Sequence, residues 1–130
     1  MDLHPRAVVE PMKKVGGGSI INVASVAGMR GTSTLFAYTA TKCAVGGMWK
    51  SAAHELARFG IRVKCVIPGF IDTPFNHNTP VRMNELLVKS TPLRRAGEPA
   101  EIAGRVLFLA AHKASFATGT DFVIDGGMSI

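Results

Sequence analysis

The chain has 130 residues, a formal net charge of +6 and an apolar fraction of 47%, values that fit one globular domain with a modest core. No apolar run approaches the roughly 20 residues that span a bilayer, and the N-terminus lacks the apolar segment of a signal peptide. The lysines and arginines are scattered without interleaved aromatic residues, so a solvated surface is favoured over a nucleic-acid interface. We therefore expect neither a membrane nor a nucleic acid as the partner.

Helical segments and short apolar strands alternate along the chain. The sequence predicts the tail of a helix over 1–14, a glycine turn at 16–18, a strand over 19–25, a turn over 26–34, a helix over about 36–59 that Gly60 ends, a strand over 61–67, a helix near 82–90, a helix over 99–111 and a strand over 122–124. This order predicts an α/β fold with a parallel sheet and right-handed crossovers. Ligands of such sheets bind at the carboxyl ends of the strands.

The long helix over 36–59 is rich in alanine and glycine. Gly46 and Gly47 lower its helix propensity, so close packing against a neighbouring element is the expected compensation. The polar segment over 70–95 is interrupted by prolines. Segments of this length in an α/β domain are usually functional or mobile, and we interpret this one as a substrate loop.

The cysteines and histidines show no disulfide or metal-binding pattern. Cys43 falls on the long helix and Cys65 in the second strand, so we expect both to be reduced packing residues of a cytoplasmic protein. The four histidines lack ligand spacing with carboxylates or cysteines. We assign no metal site.

Three polar residues around the first strand form a chemically useful set. Tyr38 and Lys42 stand at i and i+4, so they lie on one helix face. A phenol normally ionises near pH ~10, and a nearby ammonium favours the phenolate and lowers that pKa. Ser25, at the end of the strand, could donate a hydrogen bond to the same substrate oxygen. Each residue alone is more often a cap, a core aromatic or a solvated lysine, and only the joint arrangement favours a catalytic site.

Three ordered motifs give the chain a resemblance to a known family. They are Asn22-Val-Ala-Ser25, then Tyr38-x-x-x-Lys42, then Pro68-Gly69-x-Ile71-x-Thr73, with Ser25 standing 13 positions before Tyr38. The set resembles the short-chain dehydrogenase/reductase family. A lone Tyr-x-x-x-Lys would be weak evidence, whereas the ordered set is specific. The resemblance covers nearly the whole chain, but only about the C-terminal half of a family member.

The resemblance implies a fold, a reaction and a role for each motif. The fold would be the C-terminal half of a Rossmann-type doubly wound parallel sheet, with about three parallel strands and flanking helices in one partial domain over 1–130. The reaction would be NAD- or NADP-dependent hydride transfer with an alcohol or carbonyl substrate, in a homo-oligomer. Tyr38 would be the general acid/base, Ser25 would orient the substrate oxygen, and Lys42 would tune Tyr38 and hold the nicotinamide ribose. The residues Pro68, Gly69, Ile71 and Thr73 would contact the nicotinamide end.

The family's Gly-rich pyrophosphate loop and its catalytic asparagine would lie upstream of residue 1. The chain is therefore expected to be a fragment or truncated form, inactive alone, or to receive the upstream half from another chain. A second hypothesis is a non-catalytic protein that dimerises or binds a partner through its small-residue helix. Cofactor binding separates these two hypotheses. Salt-dependent retention on a polyanion would support a third, a basic nucleic-acid binder.

Overall fold

The computed structural model describes residues 6–77 and 79–130, and these form a sheet covered by helices on both faces. The helices are α1 (Arg6–Lys14), α2 (Val26–Arg30), α3 (Phe36–Leu56), α4 (Pro74–His77), α5 (Val81–Ser90) and α6 (Pro99–Ala110), and the strands are β1 (Gly18–Val23), β2 (Ile61–Pro68) and β3 (Asp121–Ile124). The predicted elements are confirmed within a few residues, except over 1–5, which lies outside the described residues. The predicted turn over 26–34 contains the short helix α2, which the sequence pattern did not indicate.

The sheet is parallel throughout the described residues, in the order β1-β2-β3. Strand β2 is central, and its residues 63–67 are all buried. Consecutive buried positions are typical of a strand covered on both faces. The α/β class with a parallel sheet and flanking helices is therefore confirmed, and β1 and β3 form the two sheet edges of the described residues.

The two faces of the sheet carry different helices. Ile61, Val63 and Cys65 of β2 pack with α1 and α3, where Trp49 is almost fully buried. Val66 points to the other face and packs with Leu109 of α6. This alternation is the period of two that a strand imposes on its side chains. It produces two separate apolar cores.

The two crossover connections differ in hand. Both run to the next strand in the same direction across the sheet, but α3 packs on one face and α6 on the other. Two such crossovers must have opposite hands, so the right-handed prediction is wrong for one of them. The preference for a right-handed crossover comes from a strand that feeds a helix directly. The connection from β2 to β3 first passes through α4 and α5, so that constraint is weaker there.

A buried lysine lies beneath the end of α6. Lys64 is fully buried, and its Nζ donates to Ser19 Oγ at 2.8 Å and to the Leu109 carbonyl at 2.9 Å. Arg62 donates to the carbonyls of Leu109 and Ala114. The last carbonyls of a helix lack partners within it and carry its negative end. The two cations on β2 therefore cap α6.

Two packing expectations for α3 are wrong. A Cβ at Gly46 or Gly47 would meet no atom within 4 Å, so close packing within the described residues does not explain these glycines. Cys65 is buried as expected, whereas Cys43 is exposed and donates to the Gly28 carbonyl. Both thiols are free.

No helix in the described ranges is both long enough and apolar enough to cross a membrane.

Candidate active site

Ser25 lies just beyond β1 and begins the helix α2. It is the N-cap residue, and its Oγ accepts a hydrogen bond from the Ala27 N–H at 3.2 Å. This satisfies one of the free N–H groups at the helix start. The hydroxyl hydrogen is not used in that bond, so Ser25 can still donate to a substrate oxygen. The capping interpretation and the catalytic interpretation are therefore compatible.

Tyr38 and Lys42 lie one turn apart on α3, as their spacing predicts. Lys42 Nζ lies 5.8 Å from the centroid of the Tyr38 ring and donates to the Val23 carbonyl at 3.0 Å. An ammonium has three donors, so two remain for a ligand. Tyr38 is half-buried. The arrangement holds a cation beside a phenol at the carboxyl end of β1.

Ser25 and Lys42 line one cavity of about 370 Å³ between α2, α3 and the sheet. Lys50 and Asp121 line it as well, and they form an ion pair at 3.3 Å. Tyr38 does not line this cavity, and its ring lies beside Lys42. The structure therefore brings Ser25 and Lys42 together, and it connects Tyr38 to them through Lys42.

Gly28 allows α2 to pack closely against the part of α3 that carries Lys42. A Cβ at Gly28 would lie 2.8 Å from the Lys42 carbonyl carbon, far inside normal contact distance. Only a residue without a side chain fits there. Gly28 thus allows the helix that Ser25 caps to pack directly against the backbone of Lys42.

Backbone hydrogen bonds fix the first residues of the segment that follows β2. Gly69 N–H donates to the Ile124 carbonyl of β3 at 3.0 Å, and a Cβ at Gly69 would collide with Asp125. Ile71 forms an isolated parallel bridge with Gly97. Pro68 ends β2, so the motif from Pro68 to Thr73 lies at the carboxyl end of the sheet. This is where the motif and the parallel topology predict it.

Asp125 has a structural role in the turn after β3. Its carboxylate accepts hydrogen bonds from the backbone N–H groups of Gly127 and Ser129, at 2.9 and 2.7 Å. Partial burial opposes ionisation, but the hydrogen bonds from Ser129 and Gly127 outweigh it and hold the pKa of Asp125 below its ordinary value. Asp125 therefore orders the chain end after β3.

Two residues near the site were not singled out from the sequence. The Phe75 ring stacks on Tyr38 with centroids 6.2 Å apart, and the Asn76 side chain bonds the Ile71 carbonyl at 2.6 Å. Both lie on the four-residue helix α4. An aromatic residue and an amide two and three positions after Thr73 were the only signal, and it was too weak to interpret alone. The described residues contain no cluster of histidine, cysteine or carboxylate side chains that could hold a metal.

Comparison with known proteins supplies the family. A family model described as Enoyl-(Acyl carrier protein) reductase matches residues 4–129. The chain is 47% identical over 122 residues to a 3-alpha-(or 20-beta)-hydroxysteroid dehydrogenase of Mycobacterium tuberculosis, covering 94% of this chain and 45% of that protein. It is 45% identical over 123 residues to a 3-oxoacyl-[acyl-carrier-protein] reductase of Thermotoga maritima, covering 95% of this chain and 50% of that protein.

A solved structure agrees with these matches. The crystal structure of a 3-oxoacyl-[acyl-carrier protein] reductase from Brucella melitensis superposes with a TM-score of 0.90 at 37% identity, and the match covers 96% of this chain and 47% of that one. The chain thus spans about half the length of the relatives it matches. The motifs, the parallel sheet and these matches agree, and the chain belongs to the short-chain dehydrogenase/reductase family.

Proposed function

We propose that the chain forms the catalytic part of an NAD- or NADP-dependent oxidoreductase that interconverts an alcohol and a ketone. The observation that carries this proposal is the Lys42 ammonium, which lies beside the Tyr38 ring and lines one cavity with Ser25. The relatives are named as a dehydrogenase and reductases that act on a hydroxysteroid or an oxoacyl group. These names support an alcohol or carbonyl substrate, and a hydroxyacyl or oxoacyl compound is the first class to test.

In this mechanism Tyr38 is the general acid/base. Its hydroxyl gives a proton to the carbonyl oxygen during reduction and takes it back during oxidation. Ser25 donates a hydrogen bond to the same oxygen and orients it. The Lys42 ammonium supplies positive charge beside the phenol, where negative charge develops as the proton leaves.

The residues present fit the nicotinamide end of the cofactor, which supplies the hydride when it is bound. Lys42 keeps two donors for the ribose hydroxyls. The Ile71 N–H makes no hydrogen bond among the described residues, so it is available to a carboxamide oxygen. Among the described residues, Thr73 Oγ1 receives one long contact, of 3.5 Å from Asn76. Pro68 and Gly69 hold this turn against β3.

The test of this function is the change Tyr38→Phe. We expect the chain alone to lack turnover, so the assay uses the chain joined to an upstream Gly-rich strand-loop-helix half, with NADH or NADPH and a panel of ketones. Positioned acid/base groups typically contribute about 10²–10⁴-fold in rate, and the phenylalanine variant should lose that much. Thr41→Val deletes a hydroxyl from the exposed side of the same helix and should keep the rate. A folded Tyr38→Phe protein with unchanged turnover would rule out the assignment.

A second candidate function is association without catalysis. The face of α3 that carries Phe36, Ala40, Ala44 and Met48 is exposed, which favours a homo-oligomer through this helix. Association through this face is also compatible with the catalytic function, because this face is not the one that carries Lys42. The free thiols of Cys43 and Cys65 suit a reducing cytoplasm. Cofactor titration distinguishes the two functions, because only the first requires binding.

A further inference from the structure

The short helix α4 carries an aromatic ring that contacts Tyr38. The Phe75 and Tyr38 ring centroids are 6.2 Å apart and the ring planes differ by 29°. This separation falls in the range of favourable aromatic pairs. Phe75 is otherwise 76% exposed, so packing into the core does not explain its position. Its contact with the Tyr38 ring is the feature that requires an account.

Asn76 fixes the turn that presents Phe75. Its backbone N–H donates to the Thr73 carbonyl at 2.9 Å, and its side-chain amide donates to the Ile71 carbonyl at 2.6 Å. Ile71 in turn is bridged to Gly97. The ring of Phe75 is therefore one residue away from an anchor that is bridged to Gly97, just before α6.

We propose that Phe75 is a positioning residue for the Tyr38 phenol and that Asn76 holds Phe75 in place for this task. The proposal rests on the proposed function, because it assigns Tyr38 the proton transfer. Tyr38 is only half-buried, and Phe75 and Lys42 both lie beside its ring. An aromatic pair of this geometry biases a side-chain rotamer by about two- to tenfold. In the proposed reaction that bias keeps the Tyr38 phenol in one rotamer while the proton is transferred.

The test uses nuclear magnetic resonance on the 130-residue chain. Tyr38 is the only tyrosine, so ring-labelled tyrosine gives a single spin system. We expect Phe75→Leu to shift the Tyr38 ring resonances, because the neighbouring ring current is lost. Phe75→Tyr should retain the Tyr38 resonances beside a second set from the added tyrosine ring. Asn76→Ala should shift them in the same direction as Phe75→Leu. Phe116→Leu is the control, since Phe116 is fully exposed and lies outside the site.

Tyr38 resonances that are the same in Phe75→Leu as in the unchanged chain would overturn the proposal. This measurement needs neither cofactor nor turnover, so an inactive joined protein would overturn the proposed function and leave the ring contact standing. In the joined protein that is used for turnover, Phe75→Leu should lower kcat about two- to tenfold with little change in KM, and Phe75→Tyr should restore it. An unchanged kcat in Phe75→Leu would overturn the positioning role.

Discussion

Lys64 is a residue that the fold buries although its charged form is more stable in water. Its side chain is fully buried, and the bonds to Ser19 and the Leu109 carbonyl give it two acceptors without a negative charge. Burial, with a smaller contribution from the Arg62 charge, lowers the pKa of Lys64 from 10.5 to about 8. The ammonium is therefore less stable in the fold than in the unfolded chain.

This difference predicts how the stability depends on pH. Between pH 8 and pH 10.5 the unfolded chain binds a proton at Lys64 that the folded chain has released, so stability gains a contribution as the pH rises through this window. Below pH 8 both states are protonated and the contribution is constant. Urea unfolding should show this gain in the unchanged chain and not in Lys64→Met, whereas Lys89→Met, on the exposed side of α5, should retain it. If the unfolding free energy changes with pH in the same way for the unchanged chain and for Lys64→Met, the prediction is contradicted.

Gly28 predicts a matched pair of substitutions. Gly28→Ala would place a Cβ 2.8 Å from the Lys42 carbonyl carbon, and forced contacts of this kind typically cost about 1–3 kcal/mol. Gly46→Ala, on the same α3 helix as Lys42, meets no atom within 4 Å and should stabilise by about 1 kcal/mol through helix propensity. Urea midpoints that move in the same direction for both variants would show that the close contact of α2 with α3 is not important for stability.

The start of α6 is the clearest case of stabilisation at the level of an element. Glu101 accepts a hydrogen bond from the Glu98 N–H at 2.7 Å and binds Arg95 through both carboxylate oxygens. Pro99 occupies the first helical position, where its missing N–H has no cost. The bonds from Arg95 and Glu98 lower the pKa of Glu101 to about 2. The carboxylate thus fixes both the helix start and the arginine before it.

The change Glu101→Gln should lower the urea midpoint at neutral pH, because the amide keeps the size of the side chain but loses the charge. A carboxyl whose pKa falls on folding contributes stability above its unfolded value of 4.5, and this contribution is lost as the pH falls toward 2. The gap between the two proteins should therefore close between pH 4.5 and pH 2. Glu85→Gln, on the exposed side of α5, serves as the control. A constant gap over this range would show that the charge does not matter.

Periodicity predicted the long elements well, since a strand or helix that buries one face imposes a spacing on its apolar residues. It missed α2, because a five-residue helix has too few turns to show a spacing. It also misjudged Gly46 and Gly47, because propensity does not reveal which neighbours surround a glycine. The hand of the second crossover depends on which face α6 covers, which the order of the elements alone does not specify.

The candidate site was predictable where the chemistry depends on local spacing. Tyr38 and Lys42 lie on one helix, so their relation follows from the helix repeat. Ser25 followed from the end of β1, although its capping role required the unrecognised helix α2. Phe75 and Asn76 could not be found in this way, because their contacts join α4 to α3 and to the end of β2. Only the tertiary fold brings those elements together.

At the scale of the whole molecule, the outer side of β1 is an open sheet edge in the described residues. The N–H groups of Gly18 and Ala24 point toward β2, so the alternating residues Ser19, Ile21 and Val23 direct theirs away from it. Val23 is 46% exposed. An apolar edge with free backbone groups is a template for pairing with another strand. The chain spans only about half the length of its relatives. We expect copies of this chain to associate through this edge.

We therefore expect the 130-residue chain to self-associate and to bind NADH or NADPH much more weakly than a full-length relative. Val23→Pro should reduce the association, because proline removes an N–H from the outer edge while the bonds from β1 to β2 remain. Val23→Thr keeps that N–H and should associate like the unchanged chain. Sedimentation over a concentration series measures the first effect and nucleotide fluorescence titration the second. A monomer that binds either nucleotide at micromolar concentration would contradict both expectations.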